Sequence, residues 1–155
     1  MLTKTSETAI TALLYLALQE GNPIITPKRI AQELGTSPTY TAKIMGTLVK
    51  MNILHAQRGV NGGVQLGRAP GEITLLEIVE ACQGRLLGAY CSAKAKPSQV
   101  CNFHAAMLEW QQSSVAILNR WTLADLAEKP QPAPALRDQG ACKMTAACCG
   151  MNNGG

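Results

Sequence analysis

The amino-acid sequence predicts a mainly α-helical fold with one small β-hairpin. Hydrophobic residues make up 46% of the chain but aromatic residues only 4%. The core must therefore consist of aliphatic side chains, a composition that favours helices over an aromatic-rich sandwich. Apolar residues also recur at three- and four-residue steps in several segments, which is typical of helices packed against a core. A chain of 155 residues is long enough for one folded unit with accessory segments.

The first predicted helix spans residues 6–20, where apolar residues follow the spacing of one helical face, and it ends at the Gly-Asn-Pro sequence of residues 21–23. Its apolar run, residues 9–18, imitates a signal peptide, yet Glu7 interrupts the approach and no cleavage pattern follows. The run is also too short to span a bilayer. We therefore expect a cytoplasmic protein without membrane association, in which the six cysteines are thiols or metal ligands.

Two helix-start signals follow the first helix. Thr26-Pro27 and Ser37-Pro38 each place a capping side chain before a proline. The first of these helices is short and ends at Gly35, whereas the second continues to about residue 52 and has a polar, cationic face. A short helix, a tight turn and a second helix with such a face form a helix-turn-helix pattern.

A glycine-rich hairpin follows the helix-turn-helix pattern. Residues 53–57 and 64–66 can pair as antiparallel strands, and we expect Asn61 and Gly62 to supply the positive φ angles of a tight turn. Glycines let the backbone approach a phosphate, and Arg58 at the tip suits the negative potential of a minor groove. The hairpin is therefore predicted to be the wing of a winged helix-turn-helix domain. An ordinary surface hairpin is the alternative.

The charge distribution favours a polyanionic partner, double-stranded DNA. From residue 26 to residue 71 there are six Lys or Arg residues and one acidic residue. An ordinary solvated surface, or a partner-binding module without nucleic acid, is the alternative. The residues predicted to contact DNA are Lys28, Ser37, Thr39, Tyr40, Lys43, Arg58, Gly59, Asn61, Gly62 and Gly63.

The remaining sequence predicts a fourth helix and a long fifth one. Thr74 and Glu77 form a capping box, and Gly84 ends the helix that they open. The apolar stripe of the long helix exceeds what a small core needs, so we expect it to pair with its copy in a homodimer, with packing inside the chain as the alternative. The expected units are a DNA-binding domain (1–84), a cysteine-bearing loop (85–99), a dimerisation helix with a short capping helix (100–128) and an unfolded proline-rich tail (129–155).

The runs SPTYTAKIMGTLVKMNIL, RGVNGGVQL and ITLLEIVEA, followed by a cysteine-bearing loop and a long helix, resemble the IscR/NsrR-type family of winged-helix transcription regulators. The resemblance covers residues 1–128. Many members of that family hold an iron-sulfur cluster. The resemblance implies a dimeric regulator, not an enzyme, that binds a palindromic operator. It also implies that a cluster responding to redox, nitric oxide or iron-sulfur status controls the affinity for DNA.

The resemblance also implies a set of cluster ligands. Family members commonly carry three cysteines in the loop, sometimes with a histidine three positions after the last. Cys91, Cys101 and His104 match this pattern, but the middle cysteine is missing. In part of the family a carboxylate near the start of the first helix is donated across the dimer, and Glu7 lies at the matching place. Such mixed ligation suits a [2Fe-2S] cluster better than a [4Fe-4S] cluster.

Other interpretations of these residues remain open. Cys91 and Cys101 can form a thiol switch without a cluster. A Cys-His enzyme is a further alternative, but Cys101 with His104 is the only grouping that would support it. Glu7 also suits the first turn of a helix through the helix dipole, and His104 can be a polar residue on the long helix without a ligand role. Cys82 lies on an apolar helical face and is predicted to be a small core residue.

Overall fold

The computed structural model describes residues 2–86 and 100–128. The described elements are α1 (Lys4–Ala17), α2 (Pro27–Leu34), α3 (Pro38–Lys50), β1 (Leu54–Gln57), β2 (Gly63–Leu66), α4 (Leu75–Gln83), α5 (Asn102–Arg120) and α6 (Leu123–Glu128). A short 3-10 turn, Pro70–Glu72, joins β2 to α4. The predicted fold class is confirmed. The predicted tail and most of the predicted loop, including Cys91, lie outside the described residues.

Capping side chains set the helix starts where the sequence predicted them. The Thr26 hydroxyl accepts a hydrogen bond from the Arg29 N–H at 3.2 Å, and Ser37 caps α3 in the same way. At α4 the Thr74 hydroxyl accepts from the Glu77 N–H at 3.2 Å, while the Glu77 carboxylate accepts from the Thr74 N–H at 3.0 Å. These bonds satisfy backbone donors that have no partner within the helix.

The core is built around α1, which packs against α2, α3, α4, α6 and β2. Leu13 of α1 and Leu123 of α6 are both fully buried in one continuous apolar cluster. Backbone hydrogen bonds of 2.9 Å also hold the start of α6, because the Leu75 N–H donates to the Trp121 carbonyl and the Leu123 N–H donates to the Ile73 carbonyl. The segment that follows the long helix therefore returns to the core of the helix-turn-helix.

The hairpin is anchored to the same core. β1 and β2 are antiparallel with Leu54 opposite Leu66, and both leucines are buried. Ile25, just before α2, exchanges two backbone hydrogen bonds of 2.9 Å with Val64 of β2. Because the base of the hairpin is fixed on both sides, residues 58–62 form a loop that projects from a rigid support.

The prediction that Asn61 and Gly62 supply the positive φ angles of a tight turn was wrong. Gly59, with φ of 106°, is the residue of this loop with a positive φ. The Gly62 N–H donates to the Gly59 carbonyl at 3.0 Å, which closes a four-residue turn, residues 59–62, within the five-residue loop between the strands. Gly62 is required for a steric reason, because a Cβ there would clash with the carbonyl oxygen of Gln57.

Within residues 2–86 and 100–128, no helix combines the length and hydropathy needed to cross a membrane. The longest helix there, α5, has 19 residues and an exposed surface that includes Glu109 and Arg120. Its exposed apolar side chains instead form a candidate dimer contact.

Candidate nucleic-acid interface

Helix α3 has one buried and one exposed face. The buried residues are Thr41, Ile44, Met45 and Leu48. The exposed residues within the helix are Pro38, Thr39, Ala42, Lys43, Gly46 and Lys50. Because the exposed side chains are small or cationic, this face can approach a negatively charged surface closely.

Tyr40 differs from the other residues that the sequence placed on this face. Its side chain is half-buried and packs against the core. Its hydroxyl donates a hydrogen bond of 3.1 Å to the hydroxyl of Thr5 in the first turn of α1. Thr39 and Lys43, in contrast, are exposed. Tyr40 therefore fixes the start of α3 against α1, a role that the helical periodicity could not indicate.

The wing loop is strongly exposed beside α3. Arg58, Gly59 and Asn61 are exposed, and Val60 at the tip is completely exposed. A groove of about 480 Å³ separates the loop from α3, and we call it the α3–wing groove. The residues that line it include Ala42, Gly46 and Lys50 of α3, Gly62 and Gly63 of the wing, and Pro27 at the start of α2.

Exposed cations lie on three separate elements of this region, and one of them, Lys50, lines the groove. The exposed cations are Lys28 and Arg29 on α2, Lys43 and Lys50 on α3, and Arg58 on the wing. They come from different parts of the sequence, but their elements are neighbours in the fold, because α2 and α3 pack together and α3 packs on β1. This arrangement produces a positive surface of the kind that nucleic-acid-binding domains use.

Arg68, the sixth cation counted in the sequence, is committed to an internal contact. Its guanidinium forms an ion pair of 2.8 Å with Glu77 and donates to the Glu72 carbonyl at 3.0 Å. Burial of the Glu77 carboxyl alone would raise its pKa, but hydrogen bonds from Thr74 and Arg68, with the charge of Arg68, lower that pKa below its ordinary value of 4.5. Arg68 therefore stabilises the start of α4.

The candidate metal ligands among the described residues lie at two helix starts. Cys101 is the exposed N-cap of α5, and His104, in the first turn of that helix, is buried. Glu7 is half-buried in the first turn of α1. No group of three His, Cys, Asp or Glu side chains that could hold a metal ion occurs among residues 2–86 and 100–128. Cys101, His104 and Glu7 therefore do not form an assembled metal site among the described residues of the chain.

Cys82 has the environment expected for a small core residue. Its side chain is half-buried at the edge of the core, and burial raises the pKa of its thiol. It lines a cleft of about 230 Å³ between α1, α3 and α4, together with Thr5, Tyr40 and Lys43. A thiol with a raised pKa carries less of the reactive thiolate form.

Gln83, at the end of α4, was not identified from the sequence. Its side-chain oxygen accepts hydrogen bonds from the Thr3 N–H at 3.1 Å and from the Ser6 hydroxyl at 2.9 Å. These contacts span about eighty residues of sequence, so no local signal could have revealed them. They join the last turn of α4, which leads into the cysteine-bearing loop, to the start of α1.

Helix α5 carries an exposed apolar face. Phe103, Trp110 and Ile117 follow one another at seven-residue steps, and each is at least 44% exposed. Trp110 and Ile117 also line an apolar groove of about 290 Å³ with Leu2 and Leu86. A contiguous face of this size on a helix is typical of a protein-protein contact.

Together the fold and this surface define a winged helix-turn-helix protein. The model of the Rrf2 family, described as an iron-dependent transcriptional regulator, matches residues 2–129. The chain belongs to the Rrf2 family of transcriptional regulators. Membership sets aside the Cys-His enzyme alternative, because members of this family are regulators and not enzymes.

Solved structures with the same fold include two named regulators. CymR, the global cysteine regulator of B. subtilis, is 23% identical and superposes with a TM-score of 0.70, over 83% of this chain and 96% of that chain. T. potens IscR is 20% identical with a TM-score of 0.68, over 88% of this chain and 96% of that chain. S. aureus CymR is 24% identical with a TM-score of 0.67, over 84% and 100% of the two chains. At these identities the likeness establishes the fold.

Proposed function

We propose that this Rrf2 regulator acts as a homodimer that binds a palindromic operator and responds to a cysteine-centred signal. The observation that carries the proposal is the exposed face of α3, with its small and cationic side chains, beside a glycine-rich wing whose loop begins with Arg58. A two-fold dimer would present this surface twice, so its operator would consist of two half-sites.

The α3 face suits the major groove. Thr39 and Lys43 are exposed on it, and hydroxyl and ammonium groups can contact base edges or phosphates there. Ser37 and Lys28 lie at the starts of α3 and α2, where backbone N–H groups and the helix dipole favour a phosphate. Tyr40 supports this surface through Thr5.

The wing suits the minor groove. Arg58 is exposed at the beginning of a loop whose base is fixed to the core, so its guanidinium can extend into a groove with negative potential. Gly59, Asn61, Gly62 and Gly63 keep the loop narrow. The wing backbone can therefore lie close to the sugars and phosphates on each side.

The dimer contact is proposed to be the exposed face of α5. Phe103, Trp110 and Ile117 would be covered by the same residues of a second copy, because a two-fold contact uses one surface on both partners. Burying large aromatic and aliphatic side chains in this way stabilises an interface strongly. The apolar groove lined by Leu2 and Leu86 would extend the contact.

The signal is proposed to act at the start of α5 through an iron-sulfur cluster of the [2Fe-2S] type, with Cys91, Cys101, His104 and Glu7 as ligands. When bound, a cluster supplies a redox-sensitive and oxygen-sensitive centre. The family description as iron-dependent supports this assignment. Cys101 is exposed at the N-cap of α5, where its thiol is accessible to a ligand. Because one protomer lacks a complete set among its described residues, a contribution from the second protomer or from Cys91 is required.

A hydrogen-bonded route would carry the signal to α3. A change in the loop after α4 would move Gln83, which holds the start of α1 through Thr3 and Ser6. In the same turn, Thr5 holds Tyr40 of α3. Rearrangement of these contacts would therefore alter the angle at which α3 meets DNA.

A second candidate is a thiol switch without a cluster. The observation that favours it is the exposed thiol of Cys101, which oxidants can reach directly. In this case Cys91 and Cys101 would form a disulfide on oxidation and release it on reduction, and the proposed DNA-binding surface and dimer contact would be the same as for the cluster candidate.

Purification without oxygen distinguishes the two candidates. A cluster predicts visible absorbance with iron and sulfide near two per chain for [2Fe-2S]. Cys101→Ser should remove the absorbance, whereas Cys82→Ser, the matched control at a half-buried thiol, should retain it. Colourless wild-type protein whose DNA affinity changes on oxidation, and whose Cys101→Ser variant no longer responds, would instead establish the thiol switch. Absence of both responses would contradict the proposed cysteine-centred signal.

A further inference from the structure

Gly46 has no structural reason to be glycine. It lies in the middle of α3 with ordinary helical backbone angles, and a Cβ built there would meet no atom within 4 Å. Glycine is one of the least favourable residues in a helix interior, because it loses more backbone freedom than alanine. By comparison, a Cβ at Gly63 would meet the Ile25 carbonyl at 2.6 Å, so that glycine is required by the fold itself.

The position of Gly46 in the groove indicates which ligand would occupy the volume that a side chain there would fill. It lines the α3–wing groove, with Ala42 one turn before it and Lys50 one turn after it. In duplex DNA a single sugar-phosphate strand separates the major groove from the adjacent minor groove. A protein that inserts α3 into one groove and its wing into the next must therefore hold that strand between them.

We propose that Gly46 is a positioning residue that admits one sugar-phosphate strand of duplex DNA into the α3–wing groove. The inference rests on the proposed binding of DNA by α3 and the wing. Without a Cβ at Gly46, the strand can lie against the backbone of α3. Lys50 supplies a positive charge on the same wall, and the start of α2 at Pro27 supplies the positive end of a helix dipole.

The test adds side-chain volume at residue 46. Gly46→Ala and Gly46→Leu are compared with wild type and with Gly71→Ala. Gly71 is the matched control because it is exposed, lies outside the groove, and a Cβ there would make only an ordinary contact of 3.9 Å with Ala124. The probe is a duplex selected by the wild-type protein from a random-sequence pool. Thermal unfolding is measured on the same samples.

Stability and DNA affinity are expected to change in opposite directions. Gly46→Ala should raise the unfolding temperature by about 2 to 6 °C, because alanine favours the helix. It should still weaken DNA binding, and Gly46→Leu should weaken it by about tenfold or more, because the larger side chain overpacks the groove. Gly71→Ala should bind DNA as wild type does.

The possible contrary results are distinct. Wild-type protein that selects no duplex would overturn the proposed function and this inference together. Wild-type protein that binds a duplex, with Gly46→Ala and Gly46→Leu binding it equally well, would overturn the inference alone. A lower unfolding temperature for Gly46→Ala would also overturn it, because glycine would then be needed by the fold. If Gly46→Leu does not fold, the DNA affinity and the unfolding temperature of Gly46→Ala decide the inference.

Discussion

The Tyr40 hydroxyl lies 3.1 Å from the Thr5 hydroxyl, and this hydrogen bond joins the start of α3 to the first turn of α1. Both side chains are half-buried and line the same cleft as Cys82. The contact is the point where the helix proposed to enter the major groove meets the helix that carries Glu7. Its loss should therefore affect both stability and DNA affinity.

A double-mutant cycle tests this coupling. Tyr40→Phe and Thr5→Val each remove one partner, and each should lower the free energy of unfolding by about 0.5 to 1.5 kcal/mol. The double variant should lose less than the sum of the two, because both substitutions break the same hydrogen bond. Urea denaturation measures these values. Strictly additive losses would show that the two hydroxyls do not act on one another.

Arg58 on the wing and Arg68, just after β2, offer a matched comparison. Arg58→Ala should weaken binding to the selected duplex by about 1 to 3 kcal/mol and leave the free energy of unfolding unchanged, because its side chain is exposed. Arg68→Ala should have the opposite profile. Its ion pair with Glu77 is partly exposed, so its loss should lower stability by about 1 kcal/mol or less and leave DNA affinity intact. Equal DNA affinities for Arg58→Ala and wild type would contradict the proposed role of the wing.

Acid should weaken the start of α4. The pKa of Glu77 is lowered in the folded protein, so the stability that its ionised form contributes is complete above the ordinary carboxyl pKa of 4.5. That contribution is lost as the pH falls through the lower, folded pKa. Glu77→Gln should therefore flatten the decline of unfolding free energy between about pH 5 and pH 3. Glu20→Gln, at an exposed position of the chain, is the control, and an equal decline in wild type and Glu77→Gln would refute the assignment.

The α5 face should control the oligomeric state. Ile117→Asp places a charge among Phe103 and Trp110, and burying an unpaired carboxylate in an apolar interface is strongly unfavourable. The variant should be a folded monomer by light scattering coupled to size-exclusion chromatography. Gln112→Asp, on an exposed position half a turn away from Trp110, should remain a dimer. If Ile117→Asp remains a dimer, the dimer contact does not use this face of α5.

Much of the fold could be predicted because its signals are local. Thr26-Pro27, Ser37-Pro38 and the Thr74–Glu77 capping box each act within a few residues, and each begins a helix where expected. The hairpin was also predicted, but its loop geometry was not. The steric demand at Gly62 comes from the Gln57 carbonyl across the loop, which composition alone does not reveal.

The site was harder to predict because its residues act over long distances. Periodicity correctly placed Thr39 and Lys43 on the outer face of α3, but it could not show that Tyr40 reaches Thr5. A count of charges could not separate exposed Arg58 from Arg68, which is paired with Glu77. The predicted ligand Cys91 lies outside the described residues, so the ligand set stays a prediction.

The central claim is that α3 and the wing bind duplex DNA, and salt dependence tests it most directly. The affinity of wild-type protein, Lys43→Ala and Arg58→Ala for the selected duplex is measured by fluorescence anisotropy over a series of salt concentrations. The logarithm of the wild-type association constant should fall linearly with the logarithm of salt concentration, because bound phosphates release counterions. Each variant should reduce that slope by about one if its cation contacts a phosphate. Affinity that does not depend on salt, with the same value in all three proteins, would contradict the claim and favour a partner-binding module.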